Sequence, residues 1–228
     1  DDLVEEAKTY VKQGYRAFKF RGGRGLPKHK DDIEAIKALR NEFSDKVDIM
    51  MDANGGYTLY TALIMAREFE KYNLFWLEDP VYDPFLKAKI AEKVNIPIHS
   101  GGQWGSCGRF DLKNFLQAAG GVDIMAAGTE HGGGISETMK MIAMISAWDL
   151  KFAPHAHEVL GSLATFHTFL AAPRRITGGM YVEWDPTAPW EGLLTDPPRF
   201  REGRITISDK PGLGAEIKED FLEKYRFD

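Results

Sequence analysis

Hydrophobic residues along this chain fall into seven short runs, most of them separated by longer amphipathic stretches. The runs are rich in β-branched or aromatic residues, as expected for buried strands, and cover residues 17–20, 47–52, 74–78, 96–99, 122–127, 151–154 and 180–183. The intervening stretches have apolar residues at helical spacing, for example over residues 31–42, 59–71, 84–93 and 135–147. This alternation predicts parallel strands joined by crossover helices.

The strand count bears on whether a barrel can close. A TIM-type (β/α) barrel has eight parallel strands and about 250 residues, whereas this chain of 228 residues has seven strand candidates. Its first predicted element is a helix over residues 2–14, so we predict a barrel that lacks its first strand. Beyond Pro186, the proline-rich stretches 196–198 and 210–212 are typical of irregular backbone. We therefore predict a barrel domain over residues 1–185 and a wrapping segment over residues 186–228.

Composition narrows the classes of partner. A net charge of −5 provides no electrostatic footprint for nucleic acid or an anionic membrane. The single cysteine, Cys107, excludes an internal disulfide and a cysteine-based zinc cage. No apolar run approaches the ~20 residues of a membrane span, and the chain starts with acidic residues where a signal peptide would be basic. We predict a cytoplasmic protein that binds neither nucleic acid nor membrane.

Two acidic residues close consecutive strand candidates. Asp52 ends the run Val47-Asp48-Ile49-Met50-Met51-Asp52, and Glu78 ends the run Leu74-Phe75-Trp76-Leu77-Glu78. A carboxylate that closes an apolar run is costly to bury unless positive charge meets it. Parallel barrels keep their chemistry at the carboxyl ends of the strands, so Asp52 and Glu78 are predicted to hold one metal ion through hard oxygen ligands.

Lys19 and Arg21 lie two residues apart on the first strand candidate, hence on one face of it. Beside a metal site, two cations on an inward face would bind an anionic substrate, and Lys19 would lose its proton if crowded by Arg21 and the metal. The alternative is a solvated pair at a strand terminus.

Further polar residues follow other strand candidates. A third metal ligand is expected after the run 96–99, where His99 and Gln103 are the candidates; the alternative for each is a hydrogen-bonded structural residue. Asn54 follows Asp52 but is also an ordinary turn residue. His131 is placed to point into the mouth of the barrel. His155 and the nearby His157 are candidates for a general acid or base.

Seven motifs in this order resemble the barrel domain of the enolase superfamily, specifically its mandelate racemase/muconate lactonizing group. They are Lys19-Phe20-Arg21, Asp52-Ala53-Asn54-Gly55-Gly56-Tyr57, Leu77-Glu78-Asp79-Pro80, Ile96-Pro97-Ile98, Gly132-Gly133, Pro154-His155 and Lys210-Pro211-Gly212-Leu213-Gly214. The resemblance implies a modified (β/α)7β barrel preceded by a capping domain and the first strand, neither of which is in these residues. It also implies Mg²⁺-assisted removal of the proton α to a carboxylate, through an enediolate.

The resemblance carries roles onto individual positions. Asp52 and Glu78 match the first two metal ligands, and Lys19 and Arg21 match a Lys-x-Lys pair, with an arginine that is a poor base. His155 matches the histidine of the seventh strand, which acts as base or as the acid that expels a hydroxyl. Glu183 matches an acidic residue that contacts substrate on the last strand, and Asn54 and His131 are taken as further substrate-binding residues.

Two positions depart from the family pattern. An ungapped alignment places Gly102 at the third metal ligand, and a shift of one residue would bring Gln103 there. It also places Gly128 where an aspartate would orient the seventh-strand histidine. We expect weaker Mg²⁺ binding from the first departure and lower basicity of His155 from the second.

Three functions follow from these residues. The first is an acid-sugar dehydratase, in which Lys19 takes the α proton, Arg21 poises Lys19 and holds the anion, and His155 protonates the departing hydroxyl. The second is a racemase or epimerase with Lys19 and His155 as its two bases. The third is a catalytically silent barrel that binds a ligand or a protein partner. Unpaired barrel edges predict a homo-oligomer or association with the missing N-terminal segment.

Overall fold

The structure is a computed structural model that describes residues 2–23, 29–100 and 108–226. Six parallel strands form one sheet in chain order, which confirms the predicted parallel α/β class. The strands are β1 (Ala17–Arg21), β2 (Asp48–Asp52), β3 (Trp76–Glu78), β4 (Ile98–Ser100), β5 (Ile124–Met125) and β6 (Lys151–Phe152). Within the described residues β1 and β6 are the edges of this sheet, so it is not a closed ring of paired strands.

Helices connect the strands as crossover connections require. They are α1 (Asp2–Lys12), α2 (His29–Phe43), α3 (Leu59–Glu70), α4 (Pro84–Ala91), α5 (Arg109–Ala119), α6 (Thr129–Gly132), α7 (Ile135–Ala147), α8 (Val159–Ala171) and α9 (Arg174–Thr177). A 3-10 turn, Ser44–Lys46, precedes β2. Thr58 and Asp83 cap the amino ends of α3 and α4 by accepting hydrogen bonds from Thr61 N and Leu86 N.

Side chains alternate between two cores along each strand, because successive strand residues point to opposite faces. Ile49, Met51 and Leu77 belong to the large core between the sheet and its helices. Met50, Trp76, Ile124 and Ala153 form a second buried cluster on the other face, joined by Ala17 and Tyr181. A small cluster that draws on β1, β2, β3, β5 and the end of β6 requires the sheet to curl around it, as in a barrel.

The seventh predicted strand is wrong: residues 180–183 are not in a strand. This segment is held by side chains instead. The Tyr181 hydroxyl donates to Asp48 Oδ2 at 2.5 Å, and Met180 and Tyr181 pack on the inner cluster. The apolar run there reflects this packing and not membership of the sheet.

The last part of the chain has regular structure where the sequence predicts irregular backbone. It contains α10 (Trp190–Leu193), the antiparallel hairpin of β7 (Arg199–Arg201) and β8 (Arg204–Thr206), and α11 (Glu219–Tyr225). Trp184 stacks on Trp190 with ring centroids 4.8 Å apart, and Tyr15 stacks on Phe200 at 3.9 Å. These aromatic contacts attach the hairpin to the body of the protein. Within the described ranges, the helices are all too short or too polar to cross a membrane.

Candidate active site

Four residues at the carboxyl ends of β1 to β4 lie side by side across the sheet. The register pairs Arg21 with Asp52, Asp52 with Glu78, and Glu78 with His99. Paired residues of parallel strands share one face, and neighbouring strands are only about 4.8 Å apart. The prediction that Asp52 and Glu78 lie together at the strand ends is therefore confirmed.

A third carboxylate joins this pair. Oxygens of Asp52, Glu78 and Asp79 all lie within 4.8 Å of one another. Asp79 has a φ of 42°, which breaks the alternation of the strand and lets two consecutive side chains serve one cluster. Three hard oxygen donors at this separation fit a divalent cation such as Mg²⁺.

Asp79 also belongs to a buried ion pair with Lys87 of α4. The Lys87 side chain is 1% exposed, and its ammonium also lies 3.5 Å from Ser100 Oγ. Asp79 does not cap α4; that role belongs to Asp83. Lys87 was missed, although it shares the buried face of α4 with Pro84, Ala88 and Ile90 at helical spacing. That placement is the signal that would have found it.

Lys19 reaches across the sheet to the carboxylates. Its Nζ lies 2.7 Å from Glu78 Oε2 and 3.3 Å from Glu183 Oε1. Burial alone lowers the pKa of Lys19, but Glu78, Glu183 and Asp52 outweigh burial and raise that pKa above its ordinary value. Without a cation at the carboxylates, the ammonium form of Lys19 is therefore favoured. The expected loss of its proton requires the metal as well as Arg21, and it stays a prediction.

The pKa values of Asp52 and Glu78 are shifted in opposite directions. Burial and the adjacent Glu78 raise the pKa of Asp52, against the opposing effects of Lys19 and Arg21, whose guanidinium is 3.4 Å away. Burial also raises the pKa of Glu78, but Lys19 and then His99 more than offset it, so the net shift is downward. Crowded carboxylates of this kind favour a bound cation.

His155 is held by Glu183. Its Nδ1 lies 2.8 Å from Glu183 Oε2, and that bond raises the pKa of His155 although burial lowers it. Because Gly128 replaces an orienting aspartate, the sequence predicts a less basic His155. That expectation is wrong, since Glu183 supplies the carboxylate from a different segment. A Cβ at Gly128 would lie 2.8 Å from the His155 carbonyl oxygen, so this close backbone approach leaves no room for a side chain.

One open cavity of about 600 Å³ contains these groups. It is lined by Lys19, Phe20, Arg21, Asp52, Asn54, Glu78, Asp79, His131, His155, His157 and Glu183. Nine of the candidates named from the sequence thus line one cavity. Gln103, the predicted third metal ligand, and Gly102 lie outside the described residues.

Three of the candidates have distinct settings within or beside this cavity. Asn54 has a φ of 45°, and its backbone N–H donates to Asp52 Oδ1 at 2.8 Å. The His131 side chain is 54% exposed, with its ring 6.0 Å from that of His155. His99 is buried against Trp76; its Nε2 contacts Ala153 O at 2.9 Å and its Nδ1 lies 3.5 Å from Glu78. His99 thus lies beside Glu78, one of the three clustered carboxylates.

Together, the fold and the site define an α/β barrel-type protein with an acidic cluster, a lysine and a histidine at the carboxyl ends of its strands. Residues 2–221 match the family described as enolase C-terminal domain-like. The chain therefore belongs to the enolase superfamily, in the mandelate racemase/muconate lactonizing group, as the sequence motifs indicated.

The relatives of this chain include proteins named as dehydratases and a cycloisomerase. The chain is 27% identical to arabinonate dehydratase of Saccharolobus solfataricus, over 99% of this chain and 59% of that protein. It is 30% identical to D-galactarolactone cycloisomerase of Agrobacterium fabrum, over 99% of this chain and 60% of that protein. Among solved structures, L-talarate dehydratase of a Polaromonas species, complexed with Mg and L-glucarate, matches with a TM-score of 0.81 and 28% identity over 96% of this chain and 58% of that one. The chain thus spans about three fifths of the length of these relatives.

Proposed function

We propose that this protein acts in a Mg²⁺-dependent hydro-lyase that dehydrates a sugar acid after removal of the proton α to its carboxylate. The observation that carries the proposal is the meeting of three carboxylates, Lys19 and His155 in one cavity. The relatives named as arabinonate and D-galactonate dehydratases support the substrate class.

Asp52 and Glu78 are the residues we propose as Mg²⁺ ligands, with Asp79 beside them. When bound, the cation supplies positive charge that stabilises the developing anion of the substrate and offsets the carboxylates that keep Lys19 protonated. Asp52 is 13% and Glu78 4% exposed at the side chain, so a ligand held there is largely shielded from bulk water.

Lys19 and His155 divide the proton transfers in this proposal. With the cation bound, Lys19 would act as the neutral amine: its Nζ would accept the α proton as the C–H bond breaks, and the electrons of that bond would form the new C=C bond. His155 gives its proton to the β-hydroxyl, which leaves as water when its C–O bond breaks. The two groups enter the cavity from different elements, Lys19 from β1 and His155 from the loop after β6.

Arg21, Asn54 and His131 are proposed to bind the substrate. The Arg21 side chain is 62% exposed and lines the cavity, so its guanidinium remains accessible to an anion while it contacts Asp52. Asn54 and His131 line the same cavity, and their polar groups would hydrogen-bond to the hydroxyls of a sugar acid.

A racemase or epimerase is the second candidate, and one observation favours it. Glu183 raises the pKa of His155, which makes this histidine a stronger base than the Gly128 departure implied. Lys19 would then take the α proton from one face as the C–H bond breaks, and protonated His155 would give its own proton to the α carbon from the other face, forming the new C–H bond. A silent barrel is the third possibility, and we treat it as an outcome of the test below. We also retain as proposals the barrel domain over residues 1–185, the wrapping segment over residues 186–228 and a cytoplasmic location.

The test follows sugar acids in D₂O by NMR, with arabinonate, D-galactonate and L-glucarate as probes. We expect Mg²⁺-dependent α-deuterium exchange and loss of the β-hydroxyl, both abolished by chelator. Lys19→Ala should lose both signals, whereas His155→Asn should keep exchange and lose dehydration. Exchange without dehydration in the unaltered protein would indicate racemisation instead.

Calorimetry tests the metal site independently of turnover. Asp52→Ala should weaken Mg²⁺ binding at least tenfold, while Asp196→Ala, a surface carboxylate paired with Lys210, should leave it unchanged. Unchanged Mg²⁺ binding in Asp52→Ala would refute the ligand assignment. Absence of both turnover and Mg²⁺ binding would support the silent barrel.

A further inference from the structure

The carboxylate of Glu183 has protein partners on both oxygens. Oε2 lies 2.8 Å from His155 Nδ1 and accepts from the backbone N–H of Ala156 at 3.2 Å. Oε1 lies 3.3 Å from Lys19 Nζ. A residue whose two oxygens are engaged in this way is not a free substrate ligand, which is the role that the family resemblance implies for it.

The contact with His155 defines a tautomer. Burial raises the pKa of Glu183, but His155, Lys19 and the Ala156 N–H outweigh burial and lower it, so the carboxylate is ionised and can only accept. The hydrogen in the 2.8 Å contact therefore belongs to Nδ1. In the neutral ring this leaves Nε2 with the lone pair, and among the described residues none hydrogen-bonds to Nε2.

The backbone around His155 explains why the acid comes from this segment. Gly128 follows β5 and approaches the His155 carbonyl so closely that a Cβ there would lie 2.8 Å from the oxygen. An acid at position 128 would displace the loop that carries His155. Glu183 instead approaches from residues 180–183, which Tyr181 ties to Asp48 at 2.5 Å.

We propose that Glu183 is the positioning residue of His155, holding Nδ1–H so that Nε2 is the nitrogen that exchanges protons in the cavity. This inference rests on the proposed function in one respect, that His155 is the proton donor of the dehydration. The orientation of the ring does not depend on turnover.

The first measurement is therefore spectroscopic. In the full chain with ¹⁵N-labelled histidine, two-bond ¹H–¹⁵N spectra at alkaline pH report the tautomer of each neutral ring, and His155→Asn assigns its signal. We expect His155 as the Nδ1–H tautomer in the unaltered protein and a shift toward Nε2–H in Glu183→Gln. His131 and His157 have no hydrogen bond to Glu183 among the described residues, so their signals are internal controls.

An Nε2–H tautomer for His155 in the unaltered protein would overturn the proposal, even if every Glu183 variant failed to fold. So would an Nδ1–H tautomer that persists in folded Glu183→Gln. In that case Glu183 only pins the loop through Ala156 N–H.

Kinetics separate positioning from substrate binding. If the enzyme dehydrates a sugar acid, Glu183→Gln should lower kcat at least tenfold with KM changed less than threefold and α-deuterium exchange retained. Glu183→Asp, which keeps the charge, should recover part of kcat. A raised KM with unchanged kcat would make Glu183 a substrate ligand and overturn the proposal. If neither the unaltered protein nor any variant shows turnover, the proposed function fails. The tautomer of His155 in the ¹H–¹⁵N spectra still tests whether Glu183 positions the ring.

Discussion

Buried charges in this site lie next to opposite charges, because an isolated buried ion is strongly unfavourable. Within residues 2–23, 29–100 and 108–226, Lys87 with Asp79 and Lys19 with Glu78 are the two lysine–carboxylate pairs with the least exposed side chains. Each lysine stands on a different element from its partner, so the pairs tie β1 and α4 to the end of β3. The same pairs hold Glu78, one of the two proposed cation ligands, and Asp79 beside it.

Removing Lys87 should show how much such a pair matters. Lys87→Met removes a buried ammonium that contacts the carboxylate of Asp79, whose side chain is 10% exposed. We expect a loss of about 3 kcal/mol or more in the free energy of unfolding, measured by urea denaturation. Lys71→Met is the matched control, because Lys71 pairs with Glu68 on the surface of α3 and should cost less than about 1 kcal/mol. Equal losses would contradict a special role for the buried pair.

The His155–Glu183 pair should make stability depend on pH. The pKa of His155 is raised in the folded protein. Its contribution to the free energy of unfolding is therefore complete below the pKa of histidine in the unfolded chain, about 6.5, and disappears as pH rises through the pKa of the folded state. Burial raises the pKa of Glu183, but His155 and Lys19 outweigh burial, so the pKa is lower in the folded protein than in the unfolded chain. The contribution of Glu183 to the free energy of unfolding is therefore present above the pKa of glutamate in the unfolded chain, about 4.3, and is lost as pH falls through the pKa of the folded state. His155→Asn should therefore destabilise the protein more at pH 5.5 than at pH 8.5. The measurement is urea denaturation at the two pH values. A penalty for His155→Asn that does not change with pH would refute the ion pair with Glu183.

The segments that follow β5 and β6 approach each other closely at the site, and this approach limits the size of the side chains that fit there. Gly128 joins β5 to α6 with ordinary φ and ψ of −91° and 153°, so steric approach to the His155 carbonyl, and not backbone strain, requires glycine there. Asp83 starts α4 through its hydrogen bond to Leu86 N, which positions Lys87 one turn into the helix.

Gly128→Ala tests the close approach. A methyl group 2.8 Å from the carbonyl oxygen forces the loop after β6 to move, and overpacking of this kind costs about 1–3 kcal/mol. Gly192→Ala is the control, since its nearest contact would be 4.0 Å away and alanine favours helix. Denaturant unfolding should show a loss only for Gly128→Ala; equal stability of both variants would mean that the loop relaxes without cost.

The molecule as a whole leaves sheet edges at β1 and β6 within its described residues. Unpaired strand edges are sites of association unless charge, a bulge or another segment covers them. The inner side of β1 is charged through Lys19 and Arg21, but its other side chains, including Phe18 and Phe20, are apolar and partly buried.

We therefore expect the 228-residue chain to self-associate in a concentration-dependent manner, as measured by light scattering after size-exclusion chromatography. Phe110→Ser removes a side chain from a 64% exposed position on α5 and serves as the control, which should leave association through strand edges unchanged. A monodisperse monomer that unfolds cooperatively would contradict the prediction, and loss of association in Phe110→Ser would locate it on the helical surface.

The sequence alone determined the alternating elements and the residues at the strand ends. Strand and helix periodicities are local, so β2, β3 and the helix Ile135–Ala147 could be found from neighbouring residues. Asp52 and Glu78 were visible because a carboxylate closing an apolar run is expensive. The bounds of the helix Val159–Ala171 are harder to derive from the sequence, since its side chains are largely apolar on every face and hide the helical period.

Only the tertiary structure decided which charges meet. Lys19 contacts Glu78 59 residues away, and Glu183 rather than a residue at position 128 holds His155. Residues 180–183 are apolar in the manner of a strand, yet they lie outside the sheet because side-chain docking holds them. Such outcomes depend on the separation and direction of side chains from distant segments. A pKa or a hydrogen bond depends steeply on those distances, and periodicity along the chain does not specify them.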